Sequence, residues 1–258
     1  MPYHTEQYRG FTITVDHDQD AENPRDWHSH VGTMACWHSR YNLGDEQPDK
    51  DPDEFLLDLV PDSIKQPFED RLDRLWRYMR DSRECMGVSY HRCEELLEER
   101  KKDACEKWID QNLFVGDLYL YDHSGITISM GKFSCPWDSG RVGLVYCTLE
   151  TAKEQFPDLE LTDWNSKLQF GEETMTLQAA IGKIIESEVE TYDNYLTGEI
   201  FCWTIEDEDG DVIESCGGYF GYESADGDCI KDARRSADHA ANALVETTQP
   251  TLIATCWP

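Results

Sequence analysis

Two turn segments carry the residues best suited to chemistry. Asp122-His123-Ser124 and Asp138-Ser139 lie beside runs with strand character, where the loops of a rigid sheet commonly hold functional residues. An imidazole close to carboxylates can bind a metal ion or exchange protons in acid–base catalysis. Asp and Ser are also the residues that turns need for their own backbone hydrogen bonds, so we favour a structural role. We therefore predict no catalytic residue, no metal site and no cofactor. A metal-dependent hydrolase, or a protein that binds a small ligand or nucleotide, at Asp122, His123 and Asp138 is the alternative.

Arg40 and Asn42 complete this candidate pocket. Arg40 follows the apolar run Gly32–His38 in a chain that is otherwise acidic, so its guanidinium needs a carboxylate partner. Asp45 and Glu22 are near enough in sequence to provide one. Arginines that bind ligands usually occur in clusters, and we therefore expect an ion pair at Arg40 rather than a ligand contact.

The charge of the chain restricts its partners. The 258 residues include 53 acidic and 23 basic side chains, which gives a net charge of −30. A field of this size repels DNA, RNA and anionic membranes, so a macromolecular partner has to be basic. Between residues 184 and 230 the chain has fourteen acids and no Lys or Arg. The sequence therefore predicts an acidic surface in this region and no direct binding to nucleic acid or membrane.

Carboxylates fixed on a helix and a hairpin can imitate a row of phosphates and occupy a groove that binds DNA or RNA. Some of these acids share one face of a predicted helix, and the others crowd the tip of a predicted hairpin. An acidic surface that is merely solvated, as in a saline cytoplasm, and a store for cations are the alternatives. The predicted partner-binding residues are Glu186, Glu190, Asp193, Glu206, Asp207, Glu208, Asp209 and Asp211.

The elements around these candidates predict an α+β fold. Alternating runs at 118–121, 126–130 and 142–147 predict a strand meander at the centre of one antiparallel sheet, with helices packed on one face. Phe11–Val15 predicts an earlier strand, and Leu149–Phe156 a short helix capped by Thr148. We expect a single domain over residues 1–258.

The acidic residues themselves fall on a helix and a hairpin. Apolar residues at helical spacing from Leu177 to Leu196 predict a helix that stops at Gly198. Asp209-Gly210 then predicts a two-residue hairpin turn, which places Trp203 opposite Cys216. A final helix has Ile230, Ala233, Ala237, Ala241 and Leu244 on its inner face, and residues 158–173 and 251–257 are predicted as a loop and an edge strand.

Residues 62–111 differ from the rest in period and in charge. Ile64, Phe68, Leu72 and Leu75 recur at helical spacing, and a second such run follows a break at Gly87-Val88-Ser89, with Ser89 as its N-cap. The spacing predicts an inserted antiparallel helical hairpin. Between residues 65 and 107 there are eleven bases and eleven acids, which leaves 42 acids and 12 bases elsewhere. The whole net charge therefore lies outside residues 65–107.

Two further features bear on localisation. The chain has no N-terminal apolar run and no stretch of about 18 apolar residues, so we predict neither a signal peptide nor a membrane span. The ten cysteines are dispersed, and no pair has CxxC spacing. They predict that most are free core thiols in a reducing cytoplasm.

Long motifs run through much of the chain. They are Glu22-Asn23-Pro24-Arg25, Gly32-Thr33-Met34 with Arg40-Tyr41-Asn42-Leu43-Gly44-Asp45, Tyr119-Leu120-Tyr121-Asp122-His123-Ser124-Gly125-Ile126, Cys135-Pro136-Trp137-Asp138-Ser139-Gly140 with Val142-Gly143, Glu188-Val189-Glu190-Thr191-Tyr192-Asp193 with Tyr195-Leu196-Thr197-Gly198, and Ser215-Cys216 with Tyr219-Phe220-Gly221. Together they resemble a family of uncharacterised proteins encoded by bacteriophages and other mobile elements. The resemblance excludes the helical hairpin, where that family is shorter, and implies a phage accessory gene that acts in a bacterial cytoplasm.

In that setting an acidic accessory protein is similar in kind to inhibitors that copy nucleic acid to disarm host defence enzymes. We therefore expect a non-enzymatic, anti-defence inhibitor of the DNA-mimic type, whose partner is a basic surface of a host nucleic-acid-binding protein. The hydrolase or small-ligand reading above is one alternative. A virion or assembly component is another.

Overall fold

The computed structural model describes residues 2–27, 29–81, 87–224 and 227–248. Its contacts divide the chain into two compact units. The first contains Met1–His28, Asp122–Ile128 and Glu190–Pro258, and the second contains Ser29–Tyr121 and Ser129–Val189. Helices and antiparallel sheets are both present, which confirms the α+β class. That the whole chain forms one domain stays a prediction.

The elements alternate irregularly along the chain. The strands are β1 (His4–Tyr8), β2 (Phe11–His17), β3 (Thr33–Cys36), β4 (Leu113–Asp122), β5 (Ile126–Ser129), β6 (Ser139–Thr148), β7 (Lys167–Phe170), β8 (Glu173–Thr176), β9 (Ile200–Glu206), β10 (Val212–Phe220), β11 (Glu223–Ser224) and β12 (Gly227–Asp228). The helices are α1 (Pro52–Asp58), α2 (Asp62–Asp81), α3 (Gly87–Asn112), α4 (Leu149–Glu154), α5 (Leu177–Thr197) and α6 (Cys229–Thr248).

The first unit is built on an antiparallel sheet in the order β1-β2-β9-β10. Trp203 of β9 lies opposite Val15 on one side and Cys216 on the other, which confirms the predicted hairpin register. Alternate residues of β2 and β9 face α6, whose alanines allow a close approach between helix and sheet. The core of this unit comprises Phe11, Ile13, Val15, Phe201, Trp203, Ile205, Cys229, Ile230, Ala233 and Ala237.

A polar relay crosses this core from sheet to helix. The indole N–H of Trp203 donates to the Tyr219 hydroxyl at 2.9 Å, and that hydroxyl donates in turn to the Asp232 carboxylate of α6. Burial, followed by the bond to Asp232, raises the pKa of Tyr219 well above its usual range. The relay satisfies the buried polar groups and joins β9, β10 and α6.

The second unit contains a separate sheet. Strand β6 pairs antiparallel with β3 on one side and with β4 on the other. The prediction of one sheet with β6 beside the 126–130 run was therefore wrong. The physical reason lies in β6, where residues Val142–Val145 are all buried. A strand buried on both faces belongs inside a sheet, with a partner on each side.

The inserted helical hairpin is confirmed. Helices α2 and α3 occupy residues 62–81 and 87–112, close to the predicted range 62–111. Lys101 of α3 pairs with Glu69 of α2 at 2.9 Å, which fits an antiparallel arrangement. Helix α3 begins at Gly87, so Ser89 lies within the helix and is not its N-cap. The predicted break at Gly87-Val88-Ser89 was wrong for the same reason.

Other local predictions have mixed outcomes. Thr148 does cap α4, because its hydroxyl accepts from the Thr151 amide at 3.1 Å, and α5 ends before Gly198 at φ +76°. The region 158–173, predicted as a loop, contains β7 and the first residue of β8. The edge strand predicted at 251–257 and the side chain of Leu244 lie outside the described residues. Within the described parts of the chain, no helix is long and apolar enough to span a membrane.

Gly143 offers a test of the β3–β6 pairing. A Cβ at this position would lie 2.3 Å from the Ala35 carbonyl oxygen and 3.0 Å from the Cys36 Cα, both backbone atoms that cannot move aside. We expect Gly143→Ala to lower the free energy of unfolding by about 3 kcal/mol, measured by urea denaturation. Gly140→Ala on the same strand is the control, because nothing lies within 4 Å of its Cβ position. Equal stability of the two variants would contradict the pairing.

Candidate partner-binding surface

The β9–β10 connection forms an acidic tip, which we define as residues 206–211. One carboxylate oxygen of Asp207 accepts from the backbone amides of Asp209 and Asp211, both at 2.9 Å. The Asp207 amide donates to the Asp211 carbonyl at 3.0 Å, and Gly210 takes a φ of +84°. The connection between the strands is therefore a five-residue loop organised by Asp207, and the predicted two-residue turn was wrong.

The other acids of the tip point outward. Glu208, Asp209 and Asp211 are exposed, and Glu206 is half-buried. Among the residues that the structure describes, no basic side chain lies within ion-pair distance of these four acids. Five carboxylates occur here in six consecutive residues. A single nucleic-acid strand carries about one charge per 3.4 Å, so the tip approaches the charge density of a phosphate backbone.

The predicted helix acids differ from one another in their environment. Glu186, in the second unit, and Glu190, in the first, are exposed on α5. Asp193 is half-buried, and its carboxylate accepts from the Ile128 amide at 2.7 Å. Burial raises the pKa of Asp193, although the hydrogen bond from Ile128 opposes that shift. Asp193 therefore stabilises the first unit and presents less of its charge to a partner.

Glu188 has a structural role that sequence reasoning missed. Its carboxylate accepts from the backbone amides of Val31 at 2.7 Å and Gly32 at 3.0 Å, just before β3. Helical spacing shows that Glu188 is displaced around the helix from the other acids of α5. It cannot predict a hydrogen bond from the Gly32 amide, which is 156 residues away in sequence. Burial and the nearby Glu188 raise the pKa of the Cys147 thiol to about 12, so this thiol is no nucleophile at neutral pH.

The residues of the candidate pocket serve turns. His123 donates its backbone amide to the Gly125 carbonyl at 3.0 Å, and Ser124 has a φ of +62°. Asp138, in the second unit, accepts from the Cys135 thiol at 3.6 Å. Asp122 is half-buried and His123 exposed. Within the described parts of the chain, no three His, Cys, Asp or Glu side chains are arranged to hold a metal ion.

Arg40 and Asn42 are both exposed at the end of the β3 region. The Arg40 guanidinium lies 5.4 Å from the Tyr41 ring centroid, and the His38 ring stacks on the same tyrosine at 4.9 Å. Asp45, one of the two predicted partners of Arg40, accepts from the Met34 amide at 2.7 Å. An ion pair at Arg40 stays a prediction, and the local arrangement is that of a cation stacked on an aromatic ring.

Two exposed apolar residues adjoin the acidic tip and were not predicted as part of the site. Val212 is 61% exposed and Ile213 is 46% exposed, both at the start of β10. Among the strands that the structure describes, β10 is the last of its sheet, so it has a paired neighbour on one side only. The pattern Asp211-Val212-Ile213 is the only sequence signal for this patch. Carboxylates beside an apolar edge favour a protein partner.

Comparisons with protein-family models, curated proteins and solved structures found no match to the chain. The resemblance to phage-encoded proteins therefore stays a prediction.

The role of Asp207 in the tip can be tested directly. Asp207→Ala removes the acceptor of two backbone amides, and we expect it to lower the free energy of unfolding by about 1–2 kcal/mol and to speed hydrogen exchange at Asp209 and Asp211. Asp209→Ala is the matched control, because it removes the same charge from the same loop. If both variants exchange at the same rate, Asp207 does not organise the loop.

Proposed function

We propose that this chain is a non-enzymatic acidic protein that binds the basic surface of a nucleic-acid-binding protein through its acidic tip. One observation carries the proposal: the tip concentrates carboxylates that are not neutralised by any base of the described chain, on a loop that Asp207 holds in place. An uncompensated cluster of fixed charge attracts a complementary groove and repels nucleic acid itself.

The proposed contact set is narrower than the sequence suggested. Glu206, Glu208, Asp209 and Asp211 make the ionic contacts, while Asp207 maintains the loop. The exposed Val212 and Ile213 add apolar area on β10, the last described strand of its sheet. Apolar contacts matter here because exposed ion pairs alone contribute only about 0–1 kcal/mol each.

The remaining acids contribute to the rate of association. A net charge of −30 attracts a basic partner over a distance, and such steering raises association rates by roughly 10- to 1,000-fold at low salt. At physiological ionic strength the screening length is about 8 Å, so distant carboxylates add little to the bound state. The tip then determines where the partner binds, and the net charge determines how fast it arrives.

The phage setting implied by the resemblance supports a more specific proposal. A protein that fills the nucleic-acid groove of a bacterial host enzyme prevents that enzyme from binding DNA. A defence nuclease is the partner class that such an accessory protein would be selected to inhibit. This step rests on the resemblance and on the charge, and the experiment below tests the binding that it requires.

Displacement from DNA tests the proposed interface. Proteins of a bacterial lysate are retained on immobilised duplex DNA, and the purified chain is added to release those that it binds more tightly. The variant Glu206→Gln, Glu208→Gln, Asp209→Asn, Asp211→Asn should release less of the same proteins and should flatten the salt dependence of their binding, because four charge contacts are lost.

The matched control removes four exposed acids elsewhere, with Glu154→Gln, Asp158→Asn, Glu160→Gln and Glu172→Gln. This control has the same net charge as the tip variant, so it separates a local surface from a general polyanion effect. It should release the proteins as well as the wild type does. If the two variants behave alike, the tip is not the binding surface.

A further inference from the structure

The helical hairpin formed by α2 and α3 has no role in the proposed function. Of its described side chains, only Cys105, near the base, is buried. Phe68, Leu72, Leu75 and Leu97 along the seam are only half-buried. A pair of helices has a single seam, so it leaves a large part of its apolar surface in contact with water unless another element covers it.

One flank of the hairpin carries an acidic groove of about 780 Å³. Six carboxylates and three lysines line it, among them Glu69, Glu95 and Glu98. Glu69 pairs with Lys101 at 2.9 Å, whereas no base of the described chain lies within ion-pair distance of Glu98. The groove therefore has carboxylates available for a cationic group.

On the same flank, near the hairpin tip, Trp76, Arg77 and Arg80 of α2 form what we call the cationic projection. Trp76 lies seven residues beyond Glu69, which is nearly two helical turns, so both side chains project from one face about 10 Å apart. The Trp76 side chain is 55% exposed. Together with Asp73, Arg77 and Arg80 it lines a second surface pocket of about 600 Å³. Of the side chains that the structure describes, only Asp73 pairs with Arg77, at 3.8 Å, and such an exposed pair is a weak interaction.

We infer that the hairpin is a dimerisation element whose partner is the hairpin of a second copy. The two hairpins pack around a two-fold axis into a four-helix bundle. Trp76 and Arg77 of each copy enter the acidic groove of the other, close to Glu98. An aromatic side chain with an arginine beside it is the usual composition of an energetically dominant interface contact.

Charge is the reason for choosing a second copy as the occupant. Residues 65–107 carry eleven bases and eleven acids, whereas the rest of the chain carries 42 acids and 12 bases. Two copies that meet through the hairpins join neutral segments, and two copies that meet elsewhere bring like charges together. The neutral segment is also self-complementary, because a cationic projection and an acidic groove lie on one flank.

The available area is sufficient for a specific contact. Helix α2 has 20 residues and is therefore about 30 Å long, and two packed helices are about 20 Å wide. The hairpin face is then about 600 Å² per copy. Two such faces give about 1,200 Å² in total, above the roughly 1,000 Å² that a specific interface needs.

Sedimentation equilibrium of the full chain at 0.15 M salt tests the inference. We expect a mass twice that of the chain at micromolar concentration, and a dimer dissociation constant roughly thirtyfold higher for Trp76→Ala. Trp137→Ala, at a tryptophan that is 91% exposed and lies outside the hairpin, should leave the mass unchanged. Circular dichroism checks that each variant keeps its helix content, which is expected because both side chains are exposed.

A charge exchange identifies the contact itself. Arg77→Glu and Glu98→Arg each place like charges together at both halves of the symmetric interface, so each variant alone should be monomeric. Mixed in equal amounts, they restore opposite charges at both halves and should form a heterodimer. A monomeric wild type up to about 100 µM would overturn the inference. So would dimers that neither the Trp76 nor the charge variants weaken.

Discussion

Carboxylates bonded to backbone amides are the interaction on which both units depend. Asp18 accepts from the Gly218 amide at 2.9 Å, Asp45 from Met34 at 2.7 Å and Asp193 from Ile128 at 2.7 Å. Glu188 and Asp207 each accept from two amides. Hydrogen bonds to a charged group contribute about 1.5–3 kcal/mol each. In a chain with few bases, backbone amides donate the hydrogen bonds to carboxylates that lysine and arginine side chains often donate in other proteins.

These hydrogen bonds divide the acids into two classes: those whose carboxylates accept from backbone amides, and those that are exposed to solvent. The sequence alone distinguishes the two classes poorly. The predicted partner surface combined exposed residues such as Glu208 with Asp193 and Asp207, whose carboxylates are occupied by backbone amides. Spacing along a helix or hairpin shows which acids share a face. It does not show which amide of a distant segment reaches a given carboxylate, because that depends on tertiary packing. The exposed acids of the tip could be predicted from the sequence, but the role of Asp207 in organising the loop could not.

The fold shows the same limit. Strong periodicity predicted the helical hairpin, α5 and the register of Trp203 against Cys216, because each depends on residues close in sequence. The order of strands in the second unit depends on β3 and β6, which are distant in sequence. Strand β1 was missed because its turn is Arg9-Gly10, with Arg9 at a φ of +50°. Asn-Gly is the usual signal for such a turn, and an ion pair of Arg9 with Asp238 at 2.7 Å accompanies this one.

Net charge and local charge have different consequences in this molecule. With a screening length of about 8 Å, repulsion between carboxylates acts mainly between neighbours, so a protein with a net charge of −30 can still contain a neutral segment that behaves as if uncharged. The acidic tip and the helical hairpin belong to different units. The carboxylates of the tip are not neutralised by bases of the described chain, whereas the hairpin carries balanced charges that are complementary to those of a second copy. The substitutions that test the tip are all in the first unit, and those that test the hairpin are all in the second. For that reason the binding of a basic partner and the association of two copies can be judged independently.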